Sequence, residues 1–187
     1  MATSTRVDPQ LVKELMNTEG RAEIIGGRVV TFPPLGAKPG RAVLRIAVSL
    51  MAHAEATGVG EAATGTAAFL CDLPNRNSLS PDVSFYTGPD NPDDDMDFYP
   101  EAPIFAVEVR SKNDYGPNAE RAIHARIADY FAAGTLVVWD VDLLGENIVS
   151  VYRRDNPDQP TVYRRGQLAE AEPAVPGWTI AVDDLFH

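Results

Sequence analysis

The chain has one cysteine, three histidines, few cations and no apolar run of about 18 residues, the length a membrane-spanning helix needs. A single thiol, Cys71, excludes an intramolecular disulfide and suits a reducing compartment. It lies in an apolar stretch and reads as a core residue, not a nucleophile. His53, His124 and His187 share no metal-ligand spacing, so they read as surface or satisfied core side chains. The N-terminus, Met1-Ala2-Thr3-Ser4-Thr5-Arg6-Val7-Asp8, has no apolar stretch of the signal-peptide kind. A soluble, cytoplasmic protein without a membrane role is the expectation. The scarcity of cations, 16 Lys and Arg against 27 Asp and Glu, gives a net charge of −11. Such a surface repels nucleic acid unless its basic residues are gathered at one place.

What is present is enough for a full core: 187 residues, 44% hydrophobic and 8% aromatic, predict one domain spanning 1–187. Part of the acidity is local, with Asp90, Asp93, Asp94, Asp95 and Asp97 in the loop 88–100. The Gly and Glu positions of an EF-hand are missing there, so it reads as a solvated connection. A short helix is predicted over 8–16, then a hairpin over 22–32 turning at Gly26-Gly27. Pro33, Pro34, Gly36 and Pro39 break the chain before a helix over 41–56, whose Val43, Ile46, Ala47, Leu50, Met51 and Ala54 form one apolar face. After the Gly58-Val59-Gly60 turn come strands near 67–73, 81–86 and 104–111. Gly116-Pro117 opens a helix that Gly134 ends, with Ile123, Ile127, Tyr130 and Phe131 in one stripe. A strongly apolar strand over 135–141, an antiparallel pair over 148–153 and 161–164, and a docked tail over 176–186 complete the chain. Trp139 and Trp178 read as core anchors. The fold class is α+β or α/β: a mixed central sheet, one crossover helix, helices on its faces and an N-terminal hairpin.

Two strand segments carry the chemistry: Ser80-Pro81-Asp82-Val83-Ser84-Phe85-Tyr86 and Ile104-Phe105-Ala106-Val107-Glu108-Val109-Arg110-Ser111-Lys112. Each sets one carboxylate in a mainly apolar run, where an unpaired charge is costly to bury. Asp82 and Glu108 are 26 residues apart, enough for one strand to return beside the other and for both to share a divalent cation. The period of a strand puts Glu108, Arg110 and Lys112 on one side and Val107, Val109 and Ser111 on the other. Two readings stay open from residue types alone. One is a hard-oxygen site for Mg²⁺ or Mn²⁺ bordered by cations that stabilise a phosphoryl transition state. The other is an ion-pair ladder of Glu108 with Arg110, Lys112 or Arg126. Glu120 reads as a first-turn carboxylate favourable to the helix dipole.

The Pro81-Asp82-Val83 and Val107-Glu108-Val109-Arg110-Ser111 strands, the helix ending Asp129-Tyr130-Phe131-Ala132-Ala133-Gly134, and the strand Val137-Val138-Trp139-Asp140-Val141-Asp142 together resemble the Uma-two family of restriction endonucleases, within the PD-(D/E)XK nuclease superfamily. The Ala22-Glu23-Ile24-Ile25-Gly26-Gly27-Arg28 hairpin and the Glu172-Pro173-Ala174-Val175-Pro176-Gly177-Trp178 tail extend the likeness to nearly the whole chain.

The resemblance implies a restriction-endonuclease-like core that cuts DNA, with Mg²⁺ or Mn²⁺ held by Asp82, Glu108 and the Val109 carbonyl, and Glu23 joining or bordering the site. It also marks two departures: Arg110 and Arg126 stand where members of the superfamily or family carry lysine. Arginine grips phosphate oxygens, but its pKa above about 12 makes it a poor proton acceptor. The base is then Lys112 or water activated by the metal. Three readings follow: a metal-dependent endonuclease, a nuclease-fold protein that binds without cutting, and a hydrolase of small phosphate esters. A homodimer paired along the 148–162 segment suits an enzyme that cuts both strands of a duplex.

Overall fold

The computed structural model describes residues 7–89 and 97–186; Asp90, Asp93, Asp94 and Asp95 of the acidic loop, and His187, lie outside them. The chain runs α1 (Pro9–Met16), β1 (Ala22–Ile25), β2 (Arg28–Thr31), α2 (Ala37–Thr57), β3 (Glu61–Thr64), β4 (Phe69–Leu73), β5 (Arg76–Leu79), β6 (Val83–Tyr86) and β7 (Phe105–Val109). It continues through α3 (Pro117–Ala133), β8 (Val137–Asp142), β9 (Ile148–Arg153), β10 (Asn156–Tyr163), β11 (Leu168–Glu170) and β12 (Thr179–Ala181) to a 3₁₀ turn at Val182–Phe186. No described helix is long and apolar enough to cross a membrane.

Alternation along the strands sorts the core into two layers around a six-stranded sheet of order β10-β9-β8-β7-β6-β3. Val83, Phe85, Phe105, Val107, Val109 and Trp139 face α2, whose Ala42, Ile46, Leu50 and Ala54 bury against them. Ala106, Val138 and Tyr152 face the other way, onto Ile127 and Tyr130 of α3. Each large apolar side chain buried in this way contributes roughly 1.5–3 kcal/mol. Trp139 and Trp178 are both in the α2-side core, ring centroids 5.1 Å apart. The α3 crossover joins β7 to β8 in parallel, and every other pairing in this sheet is antiparallel. β8 is buried throughout, as its apolar run requires. A second sheet, β2-β1-β5-β4, holds the N-terminal hairpin beside the first.

Several boundaries differ from the sequence reading. Pro39 does not break the chain; it sits in the first turn of α2, where backbone N–H groups have no helical partner and a missing one costs nothing. The buried face of α2 is centred on Ala42, Ile46, Leu50 and Ala54, so Met51 is half exposed. The strand expected over 104–111 spans Phe105–Val109; the Arg110 N–H still donates to the Val141 carbonyl at 3.0 Å, and the chain turns away at Lys112. β3, β5 and β11 were not expected. Their three or four residues are too short to show a periodic pattern, and pairing with neighbouring strands makes them strands.

Candidate active site

The register of the central sheet sets the site. In the antiparallel β6–β7 pair, Val83 lies opposite Val107, and one further step of the same register sets Asp82 opposite Glu108. In the parallel β7–β8 pair Glu108 lies beside Asp140. Three carboxylates from adjacent chain segments therefore stand in a row on the α3 side of the sheet, where like charges repel unless cations separate them.

Arg21, Arg126 and Arg110, from three different segments, do so, and Arg76 extends the network. Arg21, on the bend before β1, puts Nη1 2.5 Å from Asp82 Oδ1 and Nη2 3.2 Å from Glu108 Oε2. Arg126 of α3 donates from Nε to Glu108 Oε1 at 2.6 Å and from Nη2 to Glu23 Oε1 at 2.6 Å. Arg76 of β5 pairs with the other oxygen of Glu23 and, through Nε, with Asp129 Oδ2 at 2.8 Å. Arg110 grips Asp140 with Nε and Nη2 at 2.8 and 2.6 Å and Glu120 with Nη1 at 2.5 Å. Tyr130 adds its hydroxyl to Glu108 Oε1 at 2.5 Å, and the Val109 N–H donates to Asp82 Oδ2 at 2.7 Å.

The two central carboxylates respond in opposite senses. Burial, reinforced by the neighbouring Glu108 charge, pushes Asp82 up to about 6 despite Arg21 and the Val109 N–H. Burial also opposes the charge on Glu108, but Arg126, Arg21 and the Tyr130 hydroxyl outweigh it and hold that carboxyl below its ordinary value. Burial raises Asp140 in spite of Arg110. The thiol of Cys71 is pushed up to about 12 by burial, as an inert cysteine should be.

Asp82, Glu108, Val109, Arg110 and Arg126 all line one cleft of about 330 Å³, together with Arg21, Arg76 and Asp140. Apolar side chains, among them Ile25, Phe32, Pro33, Leu35 and Ile123, line it as well. Glu23 does not line it: the side chain is fully buried and also accepts from the Ser80 N–H at 2.8 Å. Lys112 is exposed and outside the cleft lining. Arg110 turns to Asp140 and Glu120 instead of Glu108, so the aligned triplet of Glu108, Arg110 and Lys112 does not form. Glu120 sits in the first turn of α3 and also serves Arg110. Arg21, Arg76 and Asp140 had no place in the sequence reading of the site. Asp140 was visible only as an acidic position in an apolar strand, and the arginines carry no local signal.

Among the described residues no group of three or more His, Cys, Asp or Glu is arranged to hold a metal ion. The convergent donors are two carboxylates, Asp82 and Glu108, close enough for a single guanidinium to reach both. Mg²⁺ keeps several waters and is commonly bound through one or two carboxylates, so this donor set suits it. Arg21 Nε, moreover, is buried without a hydrogen-bond partner, which marks its seat between them as incompletely satisfied.

The family described as "Putative restriction endonuclease" (Uma2) matches residues 9–183, and the chain belongs to it. Among solved structures, a putative nuclease belonging to DUF820 from Anabaena variabilis ATCC 29413 is similar at 20% identity over 90% of this chain and 91% of that one, with a TM-score of 0.69. That likeness is one of fold, and the mixed sheet with a helix on either face is accordingly restriction-endonuclease-like. No curated protein matches the chain.

Proposed function

We propose that the cleft hydrolyses phosphodiester bonds of DNA with Mg²⁺ or Mn²⁺ held by Asp82 and Glu108. The observation that carries this reading is the cross-strand pair itself: two carboxylates set opposite each other by register, bridged by one guanidinium, at a cleft lined by four arginines. The family's description supports the reaction class. Arg21, Arg76, Arg110 and Arg126 meet in one place, but Asp82, Glu108, Asp114 and Asp140 line the same cleft, so the objection raised by the −11 charge is answered only where a bound cation neutralises the central carboxylates.

The residues divide the work by what they already hold. Asp82 and Glu108 would hold the cation, with the Val109 carbonyl as a further ligand, while the Val109 N–H and Tyr130 hydroxyl fix the two carboxylates in orientation. When bound, such a cation supplies charge stabilisation and lowers the pKa of water. Arg126, anchored on Glu23 and Glu108, and Arg110, anchored on Asp140 and Glu120, present positive charge along the floor for a phosphate that becomes more negative in the transition state. Ile25, Phe32 and Leu35 shield one side from water and offer a sugar or base an apolar surface.

Cleavage of plasmid and single-stranded DNA in Mg²⁺ or Mn²⁺, wild type beside Asp82→Ala and Glu108→Ala, tests the assignment. Cleavage lost in both variants with folding intact is the expected result; unchanged cleavage in either rejects it.

A second reading, a nuclease fold that binds nucleic acid without cutting it, is favoured by one observation: no lysine lines the cleft among the described residues. Arginine holds phosphate but does not take a proton at neutral pH. DNA binding that persists in metal, with no cleavage of either substrate, would select it.

A further inference from the structure

Among the described residues, Arg21 is the one that touches both central carboxylates, and it comes from neither the sheet nor α3. Its carbonyl accepts from the Phe32 N–H at 2.9 Å, which closes the base of the hairpin, and its guanidinium lies 5.2 Å from the centroid of the Phe32 ring. One nitrogen binds Asp82 closely at 2.5 Å, the second reaches Glu108 only at 3.2 Å, and the third, Nε, is buried without a partner. This is an asymmetric, unfinished fit for a residue with five donors. A guanidinium inserted between two carboxylates and a divalent cation shared by the same carboxylates occupy one space and satisfy one charge, so they exclude each other. Arg21 also lines the cleft, and its side chain is 17% exposed, so there is space beside it for the exchange.

We propose that Arg21 is the resident occupant of the cation seat: its guanidinium neutralises Asp82 and Glu108 in the metal-free protein and must leave their oxygens for a divalent cation to bind. The inference rests on the Asp82–Glu108 site proposed above and adds a competitor built into the chain. Exchange leaves Arg21 tethered by its backbone beside Phe32, at the wall of the cleft, where the acceptor nearest in chemistry to a carboxylate is a phosphate oxygen. Binding of metal and capture of phosphate are then coupled, because the same guanidinium cannot serve the carboxylates and the phosphate at once. The metal-competent state is only part of the population, and the apparent affinity for the ion is reduced by that fraction.

Calorimetric titration of Mn²⁺ into the full chain tests this, with wild type, Arg21→Met, Arg21→Lys and the double variant Asp82→Ala/Glu108→Ala. Arg21→Met, which keeps a stem and loses the charge, is expected to bind Mn²⁺ about tenfold tighter than wild type. Arg21→Lys, whose single ammonium cannot span both carboxylates, is expected to fall between the two, and it carries the test if Arg21→Met does not fold. In an Arg21→Ala variant, low millimolar guanidinium ion should weaken Mn²⁺ binding again while leaving wild type unaffected. Equal or weaker binding by Arg21→Met, with wild type binding through Asp82 and Glu108, overturns the competition and leaves the metal site standing. Binding that survives in the double variant, or is absent from both wild type and Arg21→Met, overturns the metal site and the competition with it. Binding by Arg21→Met where wild type shows none is the limiting case of the proposal, a seat closed by its own arginine.

Discussion

Glu23 Oε1 lies 2.6 Å from Arg126 Nη2 across 103 residues of chain, which ties the N-terminal hairpin to the middle of α3. The same carboxylate accepts from Arg76 and from the Ser80 N–H, and its side chain is wholly buried. Glu23 thus acts on the cleft through the two arginines it positions. Replacing it with Gln leaves those guanidiniums short of one buried anion, and breaking such pairs costs about 3–5 kcal/mol. The expected outcome is a lower urea midpoint at unchanged slope. A change within about 0.5 kcal/mol, the scale of a surface substitution, would mean that Glu23 carries no such burden.

Arg126→Lys restores the residue type that the family resemblance leads one to expect, yet the structure argues against a gain. The guanidinium spans Glu108 and Glu23 with separate nitrogens and lies 5.4 Å from the Phe32 ring centroid. An ammonium is a point charge on a flexible stem and cannot make that fork. We expect a loss of about 2 kcal/mol in stability, within the range for broken buried networks, and no rise in metal-dependent cleavage. Increased cleavage by the lysine variant would show instead that Arg126 is a weakened catalytic position.

Much of this arrangement can be read from the chain and some of it cannot, for physical reasons. Gly116-Pro117 and Gly134 bracket α3 closely, because caps are local chemistry. The neighbourhood of Asp82 and Glu108 is legible too, since two short apolar strands joined by a loop pair antiparallel most readily. Arg21 and Arg76 are not legible: one lies in a bend, the other opens the polar strand Arg76–Leu79, and their partners are 53 to 87 residues away. Arg110 stays on the side of Glu108 that the strand period predicts, its N–H donating to the Val141 carbonyl at 3.0 Å, but its partners Asp140 and Glu120 come from other elements that the period does not reveal. Asp140 shows why register matters, because an acidic residue in an apolar strand becomes a neighbour of Glu108 only once the parallel pairing is known.

Asp142 provides a stability test away from the cleft. Its Oδ1 accepts from the Tyr115 hydroxyl at 2.7 Å and from the N–H groups of Leu144 and Gly145 at 3.0 and 2.7 Å, and Oδ2 accepts from the Glu146 N–H at 2.8 Å. One carboxylate thereby holds the turn between β8 and β9. Asp142→Ala removes a charged acceptor from three backbone donors and should cost about 2–3 kcal/mol. Metal affinity should stay at the wild-type value, because Asp142 does not line the cleft. A weakened Mn²⁺ response in this variant, measured below its melting transition, would show that the turn and the carboxylate row are coupled.

Asp82 makes the stability of the fold depend on pH. The carboxyl is raised to about 6 in the folded protein from an ordinary value of 3.8, chiefly by burial and then by Glu108. A folded state that holds its proton more tightly than the unfolded chain gains stability as pH falls. The contribution is complete below about 4, where both states are protonated, and it is lost as pH rises through 6. A shift of two units is worth about 2–3 kcal/mol. Glu108, held below its ordinary value, works in the opposite sense, but its window opens only as pH drops below the usual carboxylate range. Between pH 5 and 7 the Asp82 effect should therefore dominate the pair. Urea unfolding of the metal-free protein in the presence of a chelator should show wild type losing stability relative to Asp82→Asn as pH is raised from 5 to 7. A constant difference between the two across that range would mean that Asp82 enters the fold already ionised, with Arg21 balancing its charge in full.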